Sequence, residues 1–287
     1  MGTHSLIVLV AINSFLAVTS TLGNTVILVA IHKASSLHAP SKILLRSLAL
    51  TDFFVGILEE PLVVTFLMTK EYENFDLCTY INTITIFIGQ ILCLVSLFTL
   101  TAISVDRLLA LLLGLRYRQV VTFKRVLAAV LSFWALNVGF AIVVFWNNNI
   151  TLYYVSIVVL LCIMVSSCCY FKINQKLLHY QVQIQEHIHQ GQQNGHAPVN
   201  MARYRKTVSS ALWVQFALVT CYLPMTVVTV SMAIKGVLPS LLIAWTFSST
   251  LTLFNSTLNP VLYCWKIREV RRAVKDTIRQ ISCCLSS

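Results

Sequence analysis

The chain has 287 residues, of which 57% are hydrophobic and 11% charged. That balance is foreign to a soluble globular domain and normal for a chain that crosses a membrane several times. Its formal net charge is +11; with no nucleic-acid-binding pattern beside it, the charge reads as a topology signal and an attraction to anionic lipid, not as a nucleic-acid surface.

A spanning helix takes roughly 20 mainly apolar residues. Seven stretches qualify: Leu6–Ile31, Ile43–Met68, Ile81–Leu113, Val126–Trp146, Thr151–Phe171, Thr207–Ile234 and Leu238–Trp265. The first lacks a basic leader region and reads as a self-inserting helix, with about five residues before it and so no folded ectodomain. The linkers are short except for the polar run Asn174–Asn200, rich in Gln, His and Gly. No apolar face is evident there to offset ordering, which predicts a flexible loop. Beyond the last span, residues 266–287 predict an amphipathic helix around Lys266–Ile278 and a short tail. The expected fold is an all-α membrane protein: a seven-transmembrane helix bundle over residues 1–265 with an amphipathic eighth helix.

Basic residues set the orientation. Of the 21 Lys and Arg residues, all but Lys70 and Lys235 fall on one side of such a bundle. That side is expected to be cytoplasmic, with the N-terminus outside, the C-terminus inside and the plasma membrane as location. Cys78 is then the one cysteine placed outside, so no external disulfide is expected. Cys283 and Cys284 follow a basic amphipathic stretch, the pattern of palmitoylation; two free cytosolic thiols are the alternative. Asn149-Ile150-Thr151 is an external glycosylation sequon close to the membrane.

Several polar residues sit where they are costly. Asp52 stands in the run Leu48-Ala49-Leu50-Thr51-Asp52-Phe53-Phe54, and a carboxylate at mid-span costs about 2.5–3.5 kcal/mol. With Ser96, Asn255, Ser256 and Asn259 it forms a candidate hydrated pocket for one small cation. The alternative is a protonated Asp52 that only cross-links helices. Pro260, between Asn259 and Val261, frees a carbonyl that needs a partner from another helix or water. Asp106-Arg107 closes the third span; Arg107 either folds back on its neighbour or snorkels to the interface.

Taken in order, these residues resemble the rhodopsin-like (class A) G-protein-coupled receptors over nearly the whole chain. The family's first-span Gly-Asn is Gly23-Asn24, and its Leu-Ala-x-x-Asp is Leu48 to Asp52. Its Asp-Arg-Tyr appears as Asp106-Arg107-Leu108, and its fourth-span tryptophan is Trp134. Its Cys-Trp-x-Pro appears as Cys221-Tyr222-Leu223-Pro224, and Asn-Pro-x-x-Tyr is intact from Asn259 to Tyr263. The resemblance implies an extracellular ligand, outward movement of the sixth span, and a heterotrimeric G protein met by Arg107. Tyr170 and Tyr263 would swing inward, with Pro224 and Pro260 supplying bends. It also implies sodium at Asp52, Ser96, Asn255, Ser256 and Asn259, and no other cofactor.

Departures from the family are informative. Asn82 replaces the cysteine that ties the third span to the second external loop, and Cys162 replaces the fifth-span proline. Tyr222 and Leu218 stand where Trp and Phe are usual, and Tyr204 where an acid often closes on Arg107. A weak resting lock, and so appreciable ligand-free signalling, is the expectation. The short ends and missing disulfide resemble the melanocortin branch and, more loosely, its adenosine relatives. The aminergic aspartate falls at Gly89 and the adenine-gripping asparagine at Thr229. Glu59-Glu60-Pro61 lies outward of Asp52, with Glu71, Glu73 and Asp76 above. A ligand site including Glu59, Glu60, Gly89 and Tyr222 would favour a cation or a small basic peptide; the alternative is a solvated interfacial pair.

Other classes fit less well. An opsin needs a Schiff-base lysine where this chain has Leu253, so no retinal is expected. An intramembrane enzyme needs a nucleophile–base or paired-acid constellation at depth, and none is visible. A channel or transporter, the remaining alternative, ought to show repeated broken helices or charged pore rings.

Overall fold

In the computed structural model the described residues are 3–33, 38–71, 75–189, 197–266 and 268–285. Among them the regular structure is entirely helical. In chain order the helices are α1 (Thr3–Lys33), α2 (Ala39–Phe54), α3 (Glu60–Glu71) and α4 (Phe75–Leu113). There follow α5 (Tyr117–Val120), α6 (Phe123–Ala141), α7 (Asn148–His189), α8 (Ala197–Lys235), α9 (Pro239–Lys266) and α10 (Arg268–Leu285). A π turn, Val55–Glu59, joins α2 to α3 in one rod, so the described residues form seven rods and α10. Pro61 explains the wide turn: its ring cannot sit against the carbonyl four residues back, and the local widening relieves that clash.

Five stretches are long and apolar enough to cross a membrane: α1, Asp76–Val120, α6, Asn149–Tyr180 and Gln215–Lys235. The second and seventh rods fall short of that measure among the described residues, for a reason visible in their sequences. The α2–α3 rod is broken by the π turn and holds Asp52, Glu59 and Glu60; α9 is rich in Ser, Thr and Asn. Both pack inside the bundle, α2 against α1 and α4, α9 against α1 and α8. Lipid tails supply little drive for helix association, so packing and interhelical hydrogen bonds must hold such rods.

Those bonds are present. Pro260 leaves the Ser256 carbonyl without its helical donor, and Asn24 Nδ2 of α1 donates to that oxygen at 3.1 Å. Gly23 allows the approach: a Cβ there would stand 3.1 Å from Pro260 Cγ. Near Pro224 of α8, Thr252 Oγ1 donates to the Cys221 carbonyl at 3.0 Å. Asn13 Nδ2 donates to Thr250 Oγ1 at 3.0 Å and ties α1 to α9 a second time. A central apolar cluster including Leu48, Leu97, Leu218, Tyr222 and Tyr263 fills the space between.

One expectation is overturned. The run 174–200 is not a loop over most of its length: α7 continues to His189 and α8 begins at Ala197. Tyr170, Ile173 and Leu177 are buried and pack on Leu108 and Leu111, so the buried stripe continues past the apolar span. Propagating an established helix needs only one bond per residue, whereas nucleating one is costly. The last helix also differs in extent, running from Arg268 to Leu285; its Val270 is fully buried in the central cluster, and α10 packs on α1 and α9.

Candidate functional site

Asp52 lies at the crossing of four rods and is fully buried. Its Oδ1 accepts from Ser96 Oγ of α4 at 3.1 Å and from Ser256 Oγ of α9 at 2.9 Å. Its Oδ2 accepts from Asn259 Nδ2 at 2.7 Å, and its backbone oxygen from Ser20 Oγ of α1 at 2.9 Å. Four of the five residues expected at this pocket are therefore joined. Asn255 is buried nearby in sequence, but its Nδ2 lacks a hydrogen-bond partner. The set suits a small hard cation: one carboxylate, two hydroxyls and, once Asn259 turns its amide over, a carbonyl oxygen.

Further along α4, Asp106 is buried and held from two sides. Tyr117 Oη of α5 donates to its Oδ1 at 2.5 Å, and Ser41 Oγ of α2 to its Oδ2 at 3.1 Å. Arg107 Nη2 stands 3.8 Å from Asp106 Oδ2, and Arg107 is 41% exposed at this end of the bundle. The contact to its neighbour is long, and the side chain is only partly exposed. Tyr170 and Tyr263 are buried, and the Tyr263 hydroxyl has no hydrogen-bond partner. The side chains of Tyr204, Glu71, Cys283 and Cys284, and all of Glu73, lie outside the described residues.

Toward the opposite end, the π turn with α3, α4, α7, α8 and α9 lines a cavity of about 250 Å³. Its lining is mostly apolar, with Glu59 as the one charged residue among those described. Glu59 is buried rather than interfacial, and its Oε2 lacks a hydrogen-bond partner. Gly89 makes room for it: a Cβ at Gly89 would collide with the Glu59 carboxylate. Tyr222 also lines the cavity, and its hydroxyl donates to the Cys93 carbonyl at 3.4 Å. Three of the four expected ligand residues thus share one cavity. Glu60 does not line it; it is fully buried, with both carboxylate oxygens unpartnered. The solvated-pair alternative fails for both acids.

Helix α4 joins the three places. Asn82 and Gly89 line the cavity, Ser96 meets Asp52, and Arg107 marks the far end. At 1.5 Å per residue the helix carries these groups over roughly 37 Å. Comparison with known proteins adds the family resemblance. Residues 23–148 match the family described as "7 transmembrane receptor (rhodopsin family)". Over these residues the chain is similar to the rhodopsin-like receptors. It is 32% identical over 144 residues to adenosine receptor A2b of Bos taurus, a match covering 50% of this chain and 42% of that protein. It is 23% identical to adenosine receptor A3 of Ovis aries, covering 91% and 86% respectively. It is also 26% identical over 132 residues to 5-hydroxytryptamine receptor 1E of Pan troglodytes, covering 45% and 35%. The chain thus spans less than half the length of the A2b relatives it matches. Family and apolar helices together make it a multi-pass membrane protein.

Some residues at these sites escape sequence reading. Gln90 is buried at the cavity with both amide atoms unpartnered. Ser156 Oγ and Thr229 Oγ1 lie 2.9 Å apart and bridge α7 to α8 at the cavity wall. Ser41 and Tyr117 hold Asp106. All are common residue types in helices, and only their facing partners mark them. Asn149 is exposed on the first turn of α7, while Thr151 of its sequon is buried and lines the cavity.

Proposed function

We propose that the chain is a cell-surface receptor that binds an extracellular ligand in the cavity and activates heterotrimeric G proteins at the Arg107 end. The observation that carries this reading is the placement of a cavity and a half-buried Arg107 at opposite ends of one continuous α4. Between them lies the Asp52 network, whose bonds tie α4 to α2 and α9. Pro224 weakens α8 beside the cavity, so an outward swing of its inner end is the cheapest large motion. A ligand would drive that swing only through its differential affinity for the two packings.

Asp52, Ser96, Ser256 and Asn259, with Asn255 beside them, would hold a sodium ion. The ion supplies a positive charge that offsets the buried carboxylate and favours the packing in which those groups converge. Arg107 would meet the G protein, and Tyr263 and Tyr170 would line the opened crevice. The N-terminus would face outside, and Cys283 and Cys284 would carry palmitate. The ligand would be a cation or a small basic peptide.

Membranes from cells expressing the chain test the reading through nucleotide exchange on added G proteins. Basal exchange above that of mock membranes, lost in Arg107→Ala, is expected. Exchange equal to mock across all G-protein classes, with measurable ion flux instead, would sink it and restore the channel or transporter reading.

A further inference from the structure

The cavity says more about its occupant than the receptor reading requires. Glu59 Oε2, Gln90 Nε2 and Gln90 Oε1 are buried without hydrogen-bond partners, and both residues line the cavity. No Lys, Arg or His lines it among the described residues. A buried polar group left unpaired is costly, more so when charged. Glu59 and Gln90 therefore place one acid and one neutral amide in the wall of the cavity, among groups that carry no positive charge. The remaining lining is dominated by apolar and aromatic groups such as Leu242, Trp245 and Met225.

Size narrows the class. A cavity of about 250 Å³ lies below the usual range for drug-sized ligands, about 300–1,000 Å³. It accommodates a compact group of roughly a dozen non-hydrogen atoms, a size that suits a small molecule held whole. We infer that the cavity takes a compact cation with an apolar body, its ammonium seated between Glu59 and Gln90 and its body against Trp245 and Leu242. The acid is supplied from the π turn between α2 and α3, across from the Gly89 that leaves space for it. The position on α4 that faces the cavity carries no charge of its own. This inference deepens the receptor reading and narrows its ligand from a basic peptide to a small amine.

The test uses the full chain purified into lipid nanodiscs, without G protein. The probes are 2-phenylethylamine, cyclohexylmethylamine and the neutral 2-phenylethanol. Binding is read by calorimetry and by the shift in thermal unfolding. The amines are expected to bind and the alcohol to bind at least ten-fold more weakly. A hydrogen bond to a charged group contributes about 1.5–3 kcal/mol, or roughly 10–150-fold. Glu59→Gln should therefore weaken the amines by at least ten-fold and leave the alcohol unchanged. Glu60→Gln, outside the cavity, should move amine affinity less than two-fold. Equal affinity for amine and alcohol, equal loss in the two Gln variants, or no amine binding up to millimolar concentration would each overturn the inference. Nucleotide exchange on the same preparation separates the two readings. Glu59-dependent binding without exchange sinks the receptor and keeps the site; exchange without amine binding does the reverse.

Discussion

Asp52 and Glu59 are carboxylates on the same broken rod, buried to similar depth, and the bundle treats them differently. Both oxygens of Asp52 are occupied, by Ser96, Ser256 and Asn259 from two other rods. Glu59 has Oε2 bare and faces a cavity. A satisfied network fixes one arrangement of helices, whereas an unsatisfied one waits for a partner. The Asp52 region therefore reads as the machine's frame and switch, and the Glu59 region as its input. The π turn between them makes this possible, because one inserted residue rotates everything beyond it relative to Asp52.

The sharpest way to break the comparison is to truncate each acid. Asp52→Ala strands three donors in a buried site, at about 1–3 kcal/mol for each group left unpaired. Loss of most folded protein, or a large drop in thermal midpoint in nanodiscs, is expected. Glu59→Ala removes a group that has no partner to strand, so its unfolding midpoint should match or exceed that of the natural chain. Equal destabilisation by the two variants would erase the distinction between frame and input.

Sodium comes next in size. Raising sodium chloride from 10 to 150 mM, against choline chloride, should raise the thermal midpoint and lower basal nucleotide exchange several-fold. Asp52→Asn should remove both effects, while Glu59→Gln should leave them in place. A sodium effect that survives Asp52→Asn places the ion elsewhere.

A smaller effect is expected at Asn24, whose amide caps the carbonyl that Pro260 frees. Interhelical hydrogen bonds in membranes average about 0.6 kcal/mol and reach roughly 1.7. Asn24→Ala should therefore lower stability by about 1 kcal/mol, measured by unfolding in mixed micelles. No loss would mean that water replaces the amide.

These sites were unequally legible in the sequence. Seven apolar stretches were plain, because a span needs little more than length and composition. Asp52, Pro260 and the Asp106-Arg107 pair stood out because each is costly in lipid. The extension of α7 to His189 was missed, since Ile173 and Leu177 continue a buried stripe that a polar composition hides. Glu59 and Glu60 looked equivalent until the π turn set one in the cavity and the other behind it. Gln90 and Ser156 gave no signal at all; their roles exist only through what the bundle sets beside them.

Tyr117 yields the smallest expected effect and tests whether the inner end has a resting lock of its own. Its hydroxyl donates to Asp106 from α5 while Ser41 donates from α2, so the acid is committed before Arg107 reaches it at 3.8 Å. Arg107 is accordingly held loosely. Tyr117→Phe removes one of those donors and lets Asp106 turn toward Arg107, which strengthens their pairing. The variant should lower basal nucleotide exchange by roughly two- to five-fold, the equivalent of up to about 1 kcal/mol for one hydrogen bond. A rise in basal exchange would instead make Tyr117 part of the lock itself, with Asp106 acting through α5 and not through Arg107.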